Sequence, residues 1–409
     1  MDILLNFLAN KKIDQKITIS GSKSESNRLL ILQKLYPEIQ IENCSDSDDA
    51  LHMQHALATQ ESTINIGHAG TAMRFLTSYF ALQEGREIVL TGSERMQNRP
   101  IEILVNALRV LGAEISYVAK EGYPPLKITG STITKSTVQI NGNVSSQYIS
   151  SLLLIASNLE RGLEIELLGK ITSVPYIEMT LSLLTQLGII STFIDNRIKV
   201  FPKQRVEKQI VVVESDWSSA SYFYSIIALS EVGATIQLSA YKKESLQGDS
   251  CLAEIYEHFG VSTTFNENTM TLKKEKESNK EILEIDLKNA PDIAQTIAVT
   301  CFAEQVECIL TGLHTLKIKE TERLVALQDE LSKLGATIAI TDESLRLEKA
   351  SAIQGNVAVK TYNDHRMAMA FAPLALKTPI QINNAEVVTK SYQKFWEDMQ
   401  QIGMNITQL

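Results

Sequence analysis

The segment LRVLGAEIS, residues 108–116, contains a pattern that returns three more times along this chain. It returns as LTQLGIIST at 184–192, HFGVSTTF at 258–265 and LSKLGATIAI at 331–340. In each segment a glycine separates a helix-like apolar stretch from a run that is typical of a strand. Glycine readily adopts the left-handed conformation that ends a helix, so the pattern predicts a helix, a glycine stop and a strand. The four glycines are 76, 72 and 75 residues apart, which indicates repeated structural units.

A second set of segments has nearly the same period and alternates with the first. Each begins with small, polar or charged residues and continues into an apolar run that predicts a helix. These segments are residues 22–35, 68–82, 145–157, 216–229, 290–303 and 363–376. From the second segment onward the starts are 77, 71, 74 and 73 residues apart. Six units of helices and strands predict an α/β protein with two domains of three units each.

The boundary between the two predicted domains is not visible in the composition, because no Pro-, Gly- or Ser-rich linker is present. We place it near ITISGSK at 17–23 and near VVVESDW at 211–217. At both places a strand-like run meets the start of a predicted helix.

Composition and charge exclude several classes of protein. The chain has 409 residues, 44% of them hydrophobic and 21% charged, which is ordinary for a globular protein of two or three domains. Its longest apolar runs are far shorter than the roughly 20 residues of a membrane-spanning helix. The net charge of -9 argues against a general nucleic-acid-binding protein, because such a protein needs a basic face.

Cysteine usage and the first residues indicate a cytoplasmic protein. The four cysteines, Cys44, Cys251, Cys301 and Cys308, are scattered and form no CxxC pair. We therefore expect buried thiols, not a disulfide framework or a zinc site. In MDILLNFLANKK the lysines follow the apolar run, which reverses the order of a secretory signal.

Cationic residues gather at several predicted helix starts, where free N–H groups and the helix dipole attract anions. They are Lys23 and Arg28 in GSKSESNR, Arg74 in GHAGTAMRFL, Arg95 and Arg99 in RMQNRP, Lys319 and Arg323 in KIKETERL, and Arg366 in YNDHRMAMAF. Taken singly, each has an ordinary alternative, such as a tight turn or a solvated basic face. In an acidic protein, their repetition predicts an interdomain cleft for a small substrate with several negative charges.

Five side chains carry more specific expectations. Lys319 and Arg323 are expected on one helix face, where the two like charges repel unless an anion joins them. Glu320, next to this pair, is a candidate for proton transfer. We expect Glu25 to point outward, away from the anion site. Asp292 by itself would be interpreted as a helix N-cap.

The chain resembles the 5-enolpyruvylshikimate-3-phosphate synthase (3-phosphoshikimate 1-carboxyvinyltransferase) family. The matching strings, in the family's order from residue 20 to about 391, are GSKSESNR, SDSDDALHM, GHAGTAMRFL, TGSERMQNRPI, SSQYISSLLLIA, SVPYIEMTL, DWSSASYF, PDIAQTIAV, KIKETERL, TYNDHRMAMAF and VVTKSY. The resemblance implies two inside-out α/β barrel domains, each of three βαβαββ units. It also implies a discontinuous domain of residues 1–19 and 215–409, an inserted domain of residues 20–214, and an active site in the cleft between them.

The resemblance further implies an activity: the enolpyruvyl group of phosphoenolpyruvate is transferred to the 5-hydroxyl of shikimate-3-phosphate. Phosphate leaves from a tetrahedral intermediate, in the shikimate pathway to chorismate and the aromatic amino acids. The implied enzyme is a cytoplasmic monomer with no cofactor, metal, nucleic acid or membrane partner.

Residue by residue, the resemblance assigns roles to positions of this chain. The implied shikimate-3-phosphate ligands are Lys23, Ser24, Arg28, Ser145, Ser146, Gln147, Ser173, Tyr176, Asp292 and Lys319. The implied phosphoenolpyruvate ligands are Lys23, Gly70, Arg95, Gln147, Arg323, Arg366 and Lys390. Asp292 and Glu320 are implied acid/base groups, with Lys23 and Lys390 near the transferred group. We assign the hydroxyl proton to Asp292 and the methyl proton to Glu320, while the opposite assignment stays open.

Three positions depart from the family pattern. His68 stands where the family has Asn before Ala-Gly-Thr, Thr315 stands where some members have Asn, and Glu25 replaces a residue that is often apolar.

Two alternative functions remain at this stage. One is an enolpyruvyl transferase acting on a UDP-amino sugar, but the stretch TGSERMQNRP lacks the reactive cysteine of that family. The other is a non-catalytic anion-binding relative, against which Lys23, Asp292, Glu320 and Lys390 argue.

Overall fold

The structure is a computed structural model that describes residues 1–7, 13–171 and 174–409. The chain forms two compact units. The terminal unit consists of Met1–Ser20 and Glu214–Leu409, and the inserted unit consists of Gly21–Val213.

The described residues contain strands, α-helices and short 3₁₀ helices in a regular order. The strands are β1 Ile3–Phe7, β2 Asp14–Ile17, β3 Ile39–Glu42, β4 Thr63–Asn65, β5 Glu87–Thr91, β6 Glu114–Tyr117, β7 Leu126–Thr129, β8 Thr137–Asn141, β9 Leu163–Leu168, β10 Ser191–Ile194, β11 Arg197–Val200, β12 Gln209–Val212, β13 Thr235–Ser239, β14 Val261–Asn266, β15 Thr269–Lys274, β16 Leu283–Asp286, β17 Cys308–Thr311, β18 Ile338–Ile340, β19 Leu345–Leu347, β20 Val357–Val359, β21 Ile380–Ile382 and β22 Met404–Gln408. The α-helices are α1 Lys23–Leu35, α2 Asp48–Ala58, α3 Gly70–Ala81, α4 Glu94–Gln97, α5 Glu102–Leu111, α6 Ser146–Ala156, α7 Val174–Gln186, α8 Trp217–Leu229, α9 Leu252–Ile255, α10 Ala294–Ala303, α11 Arg323–Lys333, α12 His365–Phe371 and α13 Phe395–Gln401. The 3₁₀ helices are Gly248–Cys251, Tyr256–Phe259, Pro291–Ile293, His314–Ile318, Ala372–Leu376 and Ala385–Lys390.

One topology repeats within the inserted unit. Strand β4 pairs with β5 in parallel, with Thr63 opposite Val89, while β7 pairs antiparallel with both β5 and β6. Helix α3 connects the two parallel strands, and α5 leads into the antiparallel pair. The next set, from β8 to β11 with α6 and α7, has the same pairing. A third set keeps the parallel pair of β12 and β3, together with α1 and α2.

The terminal unit contains the same topology, and strands from the N-terminus complete two of its three sheets. The set from β16 to β19 is continuous in sequence. Strand β2 pairs in parallel with β13, although the whole inserted unit separates them along the chain. Strand β1 lies between β21 and β22. The predicted α/β class is therefore confirmed. Five of the six sets have the pairing of a βαβαββ unit, and the sixth, in the inserted unit, forms a two-stranded sheet among the described residues.

The helices that follow the first strand of each set form the core of each unit. All residues of α3, α10 and α12 are buried, and so are all residues of α6 except Gln147 and of α8 except Ser218. Helix α3 contacts α6, and α10 contacts both α8 and α12. A helix that is apolar on every side must be surrounded by protein, so each unit places helices inside and sheets outside.

Hydroxyl pairs join these central helices at positions one repeat apart. Ser78 contacts Ser151 at 2.6 Å in the inserted unit. In the terminal unit Ser221 contacts Thr296 at 3.0 Å, and Thr300 donates to Ser225 at 2.8 Å. Small hydroxyl side chains let the helices approach closely while satisfying one another's hydrogen bonds.

No helix among the described residues is both long and apolar enough to cross a lipid bilayer.

The predicted glycine stops are confirmed by the backbone. Gly112, Gly188, Gly260 and Gly335 have φ values of 113°, 71°, 72° and 98°. Each lies within two residues of the end of a helix. Their left-handed conformation turns the chain from the helix into the following strand.

Replacement of Gly260 by alanine is expected to destabilise the protein more than the same replacement of Gly85. Both glycines have positive φ, which costs alanine about 1–2 kcal/mol. At Gly260 the added Cβ would also lie 2.0 Å from the Lys276 carbonyl oxygen, whereas Gly85 has no atom within 4 Å of that position. Thermal melting followed by circular dichroism checks this order, and equal losses in the two variants would contradict it.

Candidate active site

Helix α1 presents the first group of predicted ligands in the inserted unit. Lys23 and Ser24 begin the helix and are partly exposed, whereas Arg28 is buried, with 2% exposure. Nε of Arg28 donates to Thr180 Oγ1 at 2.7 Å, and Nη1 donates to the Ser24 carbonyl oxygen at 2.7 Å. Nη2 donates to Ser150 Oγ at 3.0 Å and to the Tyr176 carbonyl oxygen at 3.2 Å.

These contacts use most of the five N–H donors of Arg28. Burial lowers the pKa of Arg28 to about 10, with Tyr176 and Glu25 opposing the shift. Glu25 is itself buried, with 4% exposure, so the expectation that it points outward is wrong. A buried guanidinium needs a compensating charge nearby, and Glu25 supplies part of it.

The start of α3 forms a second group, where a glycine lies against two guanidinium groups. A Cβ on Gly70 would lie 2.6 Å from Arg99 Nη1 and 3.2 Å from Arg74 Nη1. Arg74 Nη1 donates to the Gly70 carbonyl oxygen at 2.9 Å. Burial lowers the pKa of Arg74 to about 10, and the neighbouring charge of Arg99 acts in the same direction. The group therefore brings two cations to a helix start with no side chain between them and the backbone.

Helix α6 contributes to the same region. Its N-cap Ser145 accepts a hydrogen bond from the Gln147 backbone N–H at 3.4 Å. Gln147 Nε2 donates to Thr71 Oγ1 at 3.3 Å, which joins the start of α6 to the start of α3. Ser146, the first residue of α6, is buried.

In the terminal unit, three cations converge on the carboxylate of Asp292. Oδ1 of Asp292 lies 2.8 Å from Arg323 Nη1 and 3.2 Å from Lys319 Nζ. Oδ2 of Asp292 lies 3.3 Å from Arg366 Nη2, and the Asp292 carbonyl oxygen accepts from Arg366 Nη1 at 3.1 Å. The side chain of Asp292 is 14% exposed, so its charge is stabilised mainly by these groups and not by water.

Arg323 in turn contacts three carboxylates. Besides Asp292, its Nη2 lies 2.7 Å from Glu320 Oε2 and its Nε lies 2.7 Å from Asp364 Oδ2. Asp364 is fully buried and also caps α12, accepting from the Arg366 N–H at 2.9 Å. The cluster thus pairs Lys319, Arg323 and Arg366 with Asp292, Glu320 and Asp364, and its formal charges cancel.

The pKa shifts follow from this pairing. Burial disfavours the charged form of Asp292, but Arg366, Lys319 and Arg323 outweigh burial and hold its pKa well below the ordinary value. Burial also opposes the charge of Arg366, but Asp292 and other anionic groups raise its pKa above the ordinary value. Asp292 is therefore ionised at neutral pH, as a proton acceptor must be.

Comparison with known proteins identifies the family of the chain. Residues 57–399 match the family model of EPSP synthase (3-phosphoshikimate 1-carboxyvinyltransferase). The chain belongs to the EPSP synthase family. The 3-phosphoshikimate 1-carboxyvinyltransferase of Bacteroides fragilis is 45% identical over 403 residues, which cover 97% of each chain. That of Mannheimia haemolytica is 34% identical over 430 residues, which cover 96% of this chain and 98% of its own.

Solved structures share the fold. An EPSP synthase from Acinetobacter baumannii matches with a TM-score of 0.80 at 22% identity, covering 100% of both chains. The enolpyruvyl transferase NikO from Streptomyces tendae matches with a TM-score of 0.73 at 14% identity, covering 99% of this chain and 98% of its own.

Two expectations are wrong, one about the KETER segment at 319–323 and one about Asp292. Lys319 and Arg323 do not share a helix, because Lys319 follows the 3₁₀ helix His314–Ile318 and Arg323 is the first residue of α11. The anion that joins them is the protein's own Asp292. Asp292 is not an N-cap either, since it lies inside the 3₁₀ helix Pro291–Ile293 and its carboxylate forms ion pairs.

Lys390 lies beside the cluster of the terminal unit, and His68 lies at the start of α3 in the inserted unit. Lys390 ends the 3₁₀ helix Ala385–Lys390 and donates to the Asn363 carbonyl oxygen at 2.6 Å, next to Asp364. His68 precedes α3, where its Nε2 lies 3.9 Å from Asp48 Oδ2 and its ring meets that of His52 edge-on.

Three more positions named from the sequence are Tyr176, Thr315 and Ser173. Tyr176 lies in α7, and its carbonyl oxygen is the one that accepts from Arg28. Thr315 Oγ1 is buried and has no hydrogen-bond partner within the described part of the chain. Ser173 lies outside the described residues.

The sequence assigns no ligand role to two residues of these groups, Arg99 and Asp364, although Arg99 is recognised there as one of the clustered cations. Arg99 lies against Gly70, whereas the predicted ligand Arg95 is exposed. Within RMQNRP, the sequence gives no reason to prefer Arg99 over Arg95 as a ligand. Asp364 lies in the segment YNDHRMAMAF, but no feature of the sequence links it to Arg323, which lies 41 positions earlier.

Replacement of Asp364 by asparagine is expected to lower the free energy of unfolding by about 3–5 kcal/mol, because it leaves a buried Arg323 charge without one of its partners. Glu307→Gln is the control, since it breaks an exposed ion pair with Arg346 of 2.9 Å and should cost about 1 kcal/mol or less. Chemical denaturation measures both losses. Similar values for the two variants would contradict a structural role for the Asp364–Arg323 pair.

Proposed function

We propose that this chain transfers the enolpyruvyl group of phosphoenolpyruvate to the 5-hydroxyl of shikimate-3-phosphate and releases phosphate. The observation that carries the proposal is the ionised Asp292 carboxylate, held by Lys319, Arg323 and Arg366 in a buried, charge-balanced cluster. Membership of the EPSP synthase family supports the choice of substrates.

Both proposed substrates carry a carboxylate and a phosphate, so binding them requires several cations. In the terminal unit, Arg323, Arg366 and Lys390 would hold phosphoenolpyruvate, and Lys319 with Asp292 would contact shikimate-3-phosphate. The guanidinium groups are already oriented by carboxylates, which reduces the reorganisation needed when an anion arrives. Holding two anions side by side in reacting geometry would account for a large part of the rate enhancement.

The inserted unit would supply the remaining ligands. Lys23, Gln147, Gly70 and the sequence-predicted Arg95 would contact phosphoenolpyruvate, and the packing of Arg99 against Gly70 favours Arg99 as a further contact. Shikimate-3-phosphate would be bound by the predicted ligands of this unit, two of which it shares with phosphoenolpyruvate. They are Lys23, Ser24, Arg28, Ser145, Ser146, Gln147, Ser173 and Tyr176. In this proposal residues of both units act on one pair of substrates, in a cytoplasmic monomer.

The proposed chemistry consists of an addition and an elimination. In the addition, the 5-hydroxyl oxygen bonds to C2 of phosphoenolpyruvate, its proton passes to Asp292, and C3 takes a proton from Glu320, which has to enter this step protonated. In the elimination, the bond from C2 to the phosphate oxygen breaks, C3 returns a proton to Glu320, and phosphate leaves with the proton that Asp292 had accepted. Asp292 is ionised, as an acceptor of the hydroxyl proton must be, and its low pKa makes it a weak base as long as the three cations surround it. Lys23 and Lys390 would stabilise charge near the transferred group.

Release of inorganic phosphate tests the proposed function. The protein is incubated with shikimate-3-phosphate and phosphoenolpyruvate together and with each alone. Release only with both substrates, together with an enolpyruvyl product in the mass spectrum, is expected. Binding of both substrates without release would indicate a non-catalytic relative, and failure to bind shikimate-3-phosphate would overturn the choice of acceptor.

Replacement of Asp292 by asparagine is expected to lower kcat by at least about 100-fold, because the acceptor of the hydroxyl proton is lost. Binding of phosphoenolpyruvate should persist, since the variant removes a negative charge from among three cations. Calorimetry and the phosphate assay separate the two effects, and Asp342→Asn, at a side chain that is 92% exposed, is the control. Loss of binding in a folded variant would refute the proton-transfer role.

Replacement of Arg99 by alanine is expected to raise KM for phosphoenolpyruvate by about 10- to 100-fold, the effect of losing charged hydrogen bonds. Arg95→Ala is the matched variant, four residues away on an exposed side chain, and should raise KM less. Steady-state kinetics with varied phosphoenolpyruvate distinguish the two positions. A larger effect at Arg95 would restore the assignment made from the sequence.

A further inference from the structure

We infer that Asp249 is a positioning residue for Arg366: acting through Ser218, it holds the guanidinium in place beside Asp292. This inference rests on the proposed function, because it concerns the orientation of a group that would bind phosphoenolpyruvate. The sequence patterns assigned no role to Asp249 or to Ser218.

The segment that carries Asp249 is fixed to the start of α8. Asp249 lies in the 3₁₀ helix Gly248–Cys251 and is buried, with 5% exposure. Its neighbour Gln247 accepts from the Trp217 backbone N–H at 2.9 Å and donates to the Ser215 carbonyl oxygen at 2.9 Å. These two bonds hold the 3₁₀ helix against the first turn of α8, where Ser218 lies.

Ser218 connects Asp249 to Arg366. It is the one residue of α8 that is not buried. Its hydroxyl donates to Asp249 Oδ2 and accepts from Arg366 Nη2 at 3.2 Å. A hydroxyl has a single proton, and an ionised carboxylate can only accept, so the Asp249 carboxylate directs that proton toward itself. The lone pairs of Ser218 are then available to Arg366.

Arg366 depends on this contact for its orientation. Its other contacts described above, to the carbonyl oxygen of Asp292 at 3.1 Å and to Oδ2 of Asp292 at 3.3 Å, both come from one residue. Ser218 provides a contact from a different helix, which restricts rotation of the guanidinium plane. Small displacements of a binding group are costly in catalysis, since reacting atoms must be held closely.

The charge state of Asp249 responds to pH in a range where enzymes are assayed. The charged groups that act on it are Arg366, Asp292 and Asp216, and the Ser218 hydroxyl is its hydrogen-bond partner. Its Oδ1 is buried and has no hydrogen-bond partner among the residues that the structure describes. Burial raises the pKa of Asp249 to about 6, against the opposing effect of Arg366. Below this pH the protonated carboxyl no longer acts only as an acceptor, so the orientation of Ser218 is lost.

The raised pKa of Asp249 also makes the stability of the folded protein depend on pH. A carboxyl whose pKa is raised by folding stabilises the folded state below its unfolded pKa, and this contribution is lost as the pH rises to about 6. Above that pH the buried charge of Asp249 is unfavourable. A neutral asparagine at this position should therefore be no less stable than aspartate at about pH 8.

The test compares Asp249→Asn, Ser218→Ala and the double variant with the wild-type chain. Glu244→Gln, an exposed residue of the same segment, controls for the change of charge. Phosphate release with varied phosphoenolpyruvate is measured from about pH 5 to about pH 9, and melting is measured at about pH 8. We expect kcat/KM for phosphoenolpyruvate to fall about tenfold or more in each single variant, with no further loss in the double variant. The fall of kcat/KM below about pH 6 should disappear in Asp249→Asn, while the melting temperature of the variant stays at the wild-type value.

Several results would overturn the inference. One is an Asp249→Asn variant that keeps the wild-type kcat/KM and the same fall of kcat/KM below about pH 6. Another is a double variant whose loss equals the sum of the two single losses in free energy. If Asp249→Asn does not fold, Ser218→Ala decides, because wild-type kcat/KM in that variant would exclude the connection through the hydroxyl. Absence of turnover in the wild-type chain would be a failure of the proposed function itself, and the inference would fall with it.

Discussion

The central helices of this protein are too apolar to face water on any side, and this constraint arranges everything else. In both units these helices can be stable only when other elements surround them. The sheets therefore lie outside, with one face of most strands buried against the helices and the other exposed. Contact between helices is close because serine and threonine occur where they meet, as at Ser78 and Ser151. The polar starts of the same helices are then the places where charged side chains can collect.

Charge at those starts has to be neutralised within the protein, because little water reaches it. In the terminal unit the solution is an alternation of carboxylates and cations around Arg323, whose side chain is only 2% exposed. Removal of any one partner would leave a buried charge uncompensated, which is why such a cluster is held in one geometry. The geometry that stabilises the ions also orients groups suited to bind an anionic substrate and to accept a proton. Structural and functional requirements coincide in the same side chains.

Much of the fold could be predicted from local patterns. The four repeated glycines have the left-handed conformation that the helix-to-strand pattern predicts, because that conformation depends on a few neighbouring residues. The six apolar segments all form helices. The site was less predictable, since Glu25 is buried beside Arg28 and Lys319 lies outside the helix of Arg323. For Lys319, a partner distant in sequence, Asp292, decides where the side chain lies.

The sequence by itself determined the repeat, the apolar helices, the glycine stops and the family motifs, because each depends on residues within one short segment. Only the tertiary structure decided which charges meet. Asp292 joins Lys319 to Arg323 and Arg366, Asp364 contacts Arg323 across 41 positions, and Asp249 reaches Arg366 through Ser218. The physical reason is that burial makes an unpaired charge costly, so each buried ion is paired with whatever opposite charge the packing of separate elements brings within reach.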